Sequence, residues 1–288
     1  MAFLRSVGVT LEMIRWEHSI FALPFALTGA MLAADGWPTL PKLLWIVVCM
    51  VAARSSAMAF NRWADADLDA ANPRTRTRAI PAGLLTRKFA AGFTIAMSAV
   101  FLLGAAELNR LALLLAPLVL VILFLYSYTK RFTRWSHLFL GLALGLAPTG
   151  AWIAIRGTLD PRILVLTAAV LFWVAGFDVL YACQDEAHDR SSGLLSVPAT
   201  LGTGAAFFVA RAMHLAMLAL LLWLVALFHL GPIAIVGVGA VALLLLWEHL
   251  IVSPNDLSRL NAAFFTMNGV ISVIFFLFVA TDLLLRRP

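Results

Sequence analysis

Residues 111–128, LALLLAPLVLVILFLYSY, contain no charged side chain, and Lys130 and Arg131 follow immediately in YSYTKRF. Wound into a helix, an uncharged run of ~18 residues or more covers the hydrocarbon core of a bilayer. Comparable runs lie near 18–34, 42–60, 89–107, 137–155, 163–181, 205–228, 233–250 and 262–284. No ten-residue pattern of alternating hydrophobicity is present, and in lipid only helices or closed barrels satisfy their backbone polar groups. The fold class is therefore all-α, a polytopic membrane protein of about nine transmembrane helices. Composition agrees: 62% of residues are hydrophobic and 12% are Asp, Glu, Lys or Arg, about half the soluble average. Mean hydropathy is +0.95.

In such a chain the net charge of +6 speaks to orientation rather than to nucleic acid. With the N-terminus inside, Lys42, Arg110, Arg156, Arg162, Arg286 and Arg287 fall on the outer side, which leaves 15 of the 21 basic residues on the inner side. Positive-inside bias then places that side in the cytoplasm, as expected of a bacterial cytoplasmic (inner) membrane protein. Glu12 and Glu17, with Arg5 and Arg15, precede the first apolar run, which is unlike a signal peptide. Phe3, Val7, Leu11 and Ile14 recur at helical spacing, as in a short interfacial helix. Cys49 and Cys183 form no CxxC or metal spacing and read as small apolar residues.

Two inner connections, 61–88 and 182–204, are longer than the rest and charge-rich, and are expected to form ordered caps on a single domain spanning 1–288. A weak repeat runs through the chain. LTGAMLAA (27–34) matches PTGAWIAI (148–155), with Thr28 and Thr149 121 residues apart, and Asp65/Asp185 and Asp69/Asp189 are each 120 apart. Four spans separate the copies, so they enter the membrane in the same sense, as a duplicated four-helix unit plus a ninth helix.

In NRWADADLD (61–69), Asn61, Asp65 and Asp69 form one column of a helix, and Asp67 falls on another face. In YACQDEAHD (181–189), Tyr181, Asp185 and Asp189 repeat the spacing, and His188 reads as a polar surface residue. Each column ends an apolar span on the same side. Clustered carboxylates require a cation, and hard oxygen ligands suit Mg²⁺, which is held by one or two carboxylates plus phosphate oxygens. Arg74, Arg76 and Arg78 follow the first column, and Lys130 and Arg131 end the fourth span, so metal and guanidinium groups together suit a diphosphate. An allylic prenyl diphosphate has such a head and an apolar tail for the membrane, and its departing diphosphate leaves a cation that an aromatic ring can attack. The rival class is a secondary transporter, which would carry its ionisable residues near the bilayer midplane.

These motifs resemble the UbiA-type intramembrane prenyltransferases. NRWADADLD and YACQDEAHD match the two aspartate motifs of that family, NPRTRTRAIPAG (72–83) its following basic segment and YSYTKRF its Y-x-x-x-K-R segment. EHSIFALPFA, ARSSAMAFNR and LYACQDEAHDRSSGLLSVPATLG are most similar to the bacterial 4-hydroxybenzoate polyprenyltransferase branch, menaquinone-pathway relatives included. The resemblance implies Asp65, Asp69, Asp185 and Asp189 as catalytic Mg²⁺–diphosphate ligands, with Asn61 supporting the first motif. It further implies Arg74, Arg78, Lys130 and Arg131 as diphosphate contacts, and Arg54 and Tyr181 near the aromatic acceptor. The implied partners are a polyprenyl diphosphate, an aromatic acid and membrane lipid, with neither nucleic acid nor an obligate protein partner. Other acceptors within the family are dihydroxynaphthoate, homogentisate, haem and chlorophyllide. Arg62 departs from the family pattern, standing where the commoner motif carries an acid.

Overall fold

A computed structural model gives the architecture and describes residues 2–14, 19–260 and 266–286. Arg15, Glu17 and the first residues of the span expected from 262 lie outside the described residues, as does the side chain of Phe3. The order is α1 (Ala2–Ile14), α2 (Ser19–Ala34), α3 (Leu40–Ala64), α4 (Ala66–Ala71), α5 (Arg87–Leu108), α6 (Arg110–Thr129), α7 (Ser136–Arg156), α8 (Ile163–Ala182), α9 (Glu186–Ser191), α10 (Val197–Leu201), α11 (Thr203–Leu227), α12 (Pro232–Ile251) and α13 (Asn268–Leu285). Among the described residues eight helices are long and apolar enough to cross a membrane, and α2 adds a shorter apolar one. Together they are the expected polytopic bundle.

Local chemistry sets several boundaries. The Thr86 hydroxyl accepts from Phe89 N–H at 3.1 Å to start α5, and Asn109 Oδ1 accepts from Ala112 N–H at 2.9 Å to start α6. Asn109 also donates to the Ile153 carbonyl at 2.8 Å, tying the head of α6 to the tail of α7. Gly157, at φ 70°, ends α7 in the left-handed conformation that glycine adopts without steric cost. In α1, Val7 and Leu11 remain exposed, whereas Met13 and Ile14 are buried against Ala59 and Ala90. That helix therefore rests on α3 and α5 with only part of its expected stripe covered.

A shift of 120 residues carries α2, α3, α5 and α6 onto α7, α8, α11 and α12, and α13 stands outside the repeat. The two TGA copies meet in space, since α2 packs on α7 with Gly29 against the backbone of Pro148 and with Ala26 and Ala30 beside Ala151 and Ala154. Small residues permit this close approach. Gly141 likewise lets α7 lie against the Leu171 carbonyl of α8.

The two halves are filled differently. Around α8, α11, α12, α13 and α2 the interior is solid, with Trp173, Phe25 and Phe275 fully buried and the Phe25 ring 5.0 Å from Trp173 and 5.6 Å from Phe275 between centroids. Trp173 donates its indole N–H to Asn268 Oδ1 at 2.9 Å. Between α3, α5, α6, α7 and α8 the space is open, a cavity of about 580 Å³ with mainly apolar walls and a polar mouth.

Candidate active site

The mouth is built where both aspartate columns leave their spans. The spacing predicts uninterrupted helices there, and the structure instead breaks each at its first aspartate. Asp65 separates α3 from α4 at φ −98°, ψ 7°, and Asp185 separates a 3₁₀ turn at Cys183–Asp185 from α9 at φ −103°, ψ 4°. The four-residue step survives in the first motif, because Asp65 N–H donates to the Asn61 carbonyl at 2.9 Å and Asp69 N–H to the Asp65 carbonyl at 2.7 Å. Asp65 and Asp69 are consequently buried, 2% and 5% exposed, while Asp67 points to solvent and pairs with Arg87. The hydrogen bond from that guanidinium holds the Asp67 carboxyl below the usual carboxylate range.

Each buried or half-buried carboxylate meets polar partners. Lys130 Nζ donates to Asp65 Oδ2 at 2.6 Å, Asn61 Nδ2 to the same oxygen at 3.1 Å, and Arg131 reaches Asp65 Oδ1 at 3.4 Å. Arg78 Nη1 donates to Asp69 Oδ1 at 2.7 Å. Arg74 grips Asp185 with two nitrogens, Nε lying 2.8 Å from Oδ1, and its guanidinium stacks 5.5 Å over the Tyr181 ring. Burial works against the charge of Arg74, but the hydrogen bonds and charge of Asp185 outweigh it and hold the guanidinium firmly protonated. Asp189 accepts from the Ser196 hydroxyl at 3.0 Å.

The Asn72-Pro73 turn aims Arg74: Asn72 Oδ1 accepts from the Arg74 backbone N–H at 2.9 Å, and its Nδ2 donates to Asp185 Oδ1 at 3.1 Å. Leu195 N–H donates to the Lys130 carbonyl at 2.8 Å, so both long loops close on the same opening.

Ten of the eleven residues named from sequence line this one cavity: Asp65, Asp69, Asp185, Asp189, Asn61, Arg54, Arg74, Arg78, Lys130 and Tyr181. Arg131 does not, and instead reaches Asp65 from the flank, donating to the Ala64 carbonyl at 2.9 Å and stacking over Tyr128. Arg76 is exposed outside it. Arg62 is buried in the wall, and His188, expected at the surface, is half-buried at the mouth. Sequence reasoning missed Asn72, Ser127 and the pair His137–Asp178, all in the cavity wall. For Asp178 the signal was present, since an acid inside an apolar span marks function by default.

Among the described residues no three His, Cys, Asp or Glu side chains stand close enough to hold a metal by themselves. Yet Asp69 Oδ2 is buried at the mouth without a hydrogen-bond partner. One unsatisfied carboxylate oxygen, with three further carboxylates around the opening, fits a hard divalent cation that takes its remaining ligands from phosphate.

Fold and mouth together define an integral membrane enzyme, with an acid- and base-lined opening over an apolar chamber. The chain belongs to the UbiA prenyltransferase family, whose model matches residues 22–270. It is 32% identical over 281 residues to a 4-hydroxybenzoate octaprenyltransferase of Nitrosomonas europaea, covering 96% of this chain and 95% of that one. A second 4-hydroxybenzoate octaprenyltransferase, from Cupriavidus necator, is 34% identical over 82% of each chain. Among solved structures, a UbiA homologue from Aeropyrum pernix K1 superposes with a TM-score of 0.84 at 36% identity, over 92% of this chain and 98% of that one. A homologue from Archaeoglobus fulgidus, solved with geranyl diphosphate (GPP) and Mg²⁺, shares the fold at TM-score 0.70 and 18% identity, over 96% and 99% of the two chains.

Proposed function

We propose that this prenyltransferase moves the polyprenyl group of an allylic polyprenyl diphosphate onto an aromatic acid, 4-hydroxybenzoate first among the acceptors, in ubiquinone or menaquinone biosynthesis. It does so with Mg²⁺, at the cytoplasmic face of a bacterial inner membrane. The observation that carries this reading is the ring of ion pairs Lys130–Asp65, Arg78–Asp69 and Arg74–Asp185 across the mouth of an apolar chamber. Cations stored on carboxylates are available to a diphosphate without a new desolvation cost. The names borne by the bacterial relatives support the acceptor, and the cation in the archaeal neighbour supports the metal.

In this mechanism Arg74, Arg78 and Lys130 turn from their aspartates to the phosphate oxygens and stabilise charge as it develops on the leaving group. Asp65, Asp69 and Asp185, released, would hold Mg²⁺ together with Asp189. When bound, that ion neutralises the diphosphate as a Lewis acid. Asn61 keeps Asp65 oriented, and Arg131 supports it from the flank. The apolar wall takes the prenyl chain and excludes the water that would capture an allylic cation, and the rings of Tyr126 and Phe177, which line the cavity, stabilise that cation in this reading. Arg54, in the wall of α3, receives the acceptor carboxylate, and Tyr181 borders the acceptor under Arg74. Segments 61–88 and 182–204 act as caps of one transmembrane domain.

The test is to incubate purified protein with geranyl diphosphate, Mg²⁺ and, separately, 4-hydroxybenzoate, 1,4-dihydroxy-2-naphthoate or homogentisate, and to identify the lipid product by mass spectrometry. The expected product is prenylated 4-hydroxybenzoate, lost on adding EDTA and restored by excess Mg²⁺. Failure to prenylate any of the three, or turnover undiminished in EDTA, overturns the reading.

A further inference from the structure

Asp178 sits in α8 among apolar residues, in the wall of the cavity and one helical stretch below the mouth. It is held by His137, the second residue of α7, whose Nδ1 lies 2.7 Å from Asp178 Oδ2. The other ring nitrogen, Nε2, accepts from the backbone N–H of Val197 at 3.4 Å. A backbone amide can only donate, so Nε2 is the bare nitrogen and Nδ1 carries the proton given to Asp178. A carboxylate so oriented keeps its second oxygen for another partner. Among the described residues no Lys or Arg side chain is paired with it, unlike Asp65, Asp69 and Asp185 at the mouth.

Its depth is informative. Asp178 precedes Asp185 by seven residues, about 10 Å along a helix, and Arg54 precedes Asp65 by eleven, about 16 Å. Asp65 and Asp185 are equivalent in the repeat, so Asp178 lies nearer the mouth than Arg54 by about 6 Å, four residues of helical rise. An aromatic acid with its carboxylate at Arg54 presents its far, hydroxyl-bearing edge at the level of Asp178, between that carboxylate and the diphosphate. Ring carbons beside the hydroxyl lie on that edge.

We infer that Asp178, oriented by His137, is the general base that removes the ring proton in prenyl transfer. The inference rests on the prenyltransferase reading proposed above. As the C–O bond to diphosphate breaks, the diphosphate leaves with the bonding pair. A π pair of the ring forms the new C–C bond to the prenyl carbon. Asp178 then accepts the proton from the substituted ring carbon, and the C–H pair returns to the ring and restores aromaticity. The proton afterwards passes from the Asp178 carboxyl to water at the mouth. Asp178 is thus a catalytic residue, and His137 a positioning residue that acts through it.

The experiment compares 4-hydroxybenzoate with its 3,5-dideuterated form, using geranyl diphosphate and the full-length protein. In the wild type, proton removal is fast and kcat is the same for both acceptors. In Asp178→Asn, which keeps the shape and the acceptor for His137, kcat should fall by about 100-fold or more. An isotope effect well above unity should appear, with KM for geranyl diphosphate unchanged. A merely structural role would lower activity without creating an isotope effect, and that result overturns the proposal, as does wild-type kcat in the variant. Should Asp178→Asn not accumulate in the membrane, Asp178→Glu, whose carboxylate is displaced by one methylene, gives the same test: an isotope effect above unity supports the role and one of unity overturns it. A wild-type protein that does not prenylate 4-hydroxybenzoate removes the underlying reading itself, an outcome visible before any variant is made.

Discussion

Asp65, Asp67 and Asp69 alternate along one short segment, and their surroundings separate them completely. Asp69 is buried beside Arg78 with one oxygen unpartnered at the cavity, whereas Asp67 lies in solvent with Arg87. An exposed pair contributes little because water and salt screen it. Asp67→Asn should therefore leave initial rates of prenyl transfer within about twofold of wild type. Asp69→Asn removes charge where the diphosphate is proposed to dock and should lower kcat by at least about 100-fold, the scale on which a group stabilising developing charge acts. Equal effects of the two substitutions would contradict the assignment of faces. Arg74 offers a subtler test at the same scale. Its two-nitrogen grip on Asp185 and its stacking on Tyr181 depend on a planar fork, which lysine lacks although it keeps the charge. Arg74→Lys should raise KM for geranyl diphosphate, and a KM equal to that of wild type would show that charge alone is used.

Helices α7 and α8 position that chemistry, since α7 supplies His137 and α8 ends at the second aspartate motif. Their separation is set by glycine. A Cβ added at Gly141 would run into the backbone carbonyl of Leu171, and backbone cannot rotate away as a side chain can. Gly150, on the same helix, faces open space. Gly141→Ala should cost about 1–3 kcal/mol through overpacking, read as a lowered unfolding midpoint in detergent. Gly150→Ala should leave that midpoint unchanged or raise it slightly through helix propensity. If both variants behave alike, close approach of the two helices is not what fixes the wall. The paired breaks at Asp65 and Asp185 belong to this scale too. Spacing of four predicts both columns, but not the turn in backbone direction at the first aspartate, where the carboxylates meet side chains distant in sequence: Lys130 and Arg131 at Asp65, Asn72 and Arg74 at Asp185.

For the whole molecule, apolar runs and their lengths revealed the bundle, and the 120-residue offset revealed the duplication, with which the order of α2, α3, α5 and α6 against α7, α8, α11 and α12 agrees. The filling of one half and the opening of the other were not legible, because Trp173, Phe25 and Phe275 meet only through tertiary packing and any apolar span could carry them. His137–Asp178 stayed hidden for a related reason: its partners are separated by 41 residues and joined only by the packing of α7 on α8. Orientation was read from charge alone, and it is testable with the chain's own chemistry. Both native cysteines, Cys49 and Cys183, are buried, so a membrane-impermeant maleimide finds no ready background thiol. Leu159, between α7 and α8, and Ser192, after α9, are exposed on opposite ends of the bundle. The excess of arginine and lysine at the Ser192 end is the basis for proposing that this end faces the cytoplasm. In intact cells Leu159→Cys should therefore be labelled and Ser192→Cys protected, and opening the inner membrane should expose Ser192→Cys to the reagent. The opposite pattern would put the diphosphate mouth outside, away from a cytoplasmic supply of prenyl diphosphate, and would overturn the topology together with the side of the membrane on which the reaction is proposed to run.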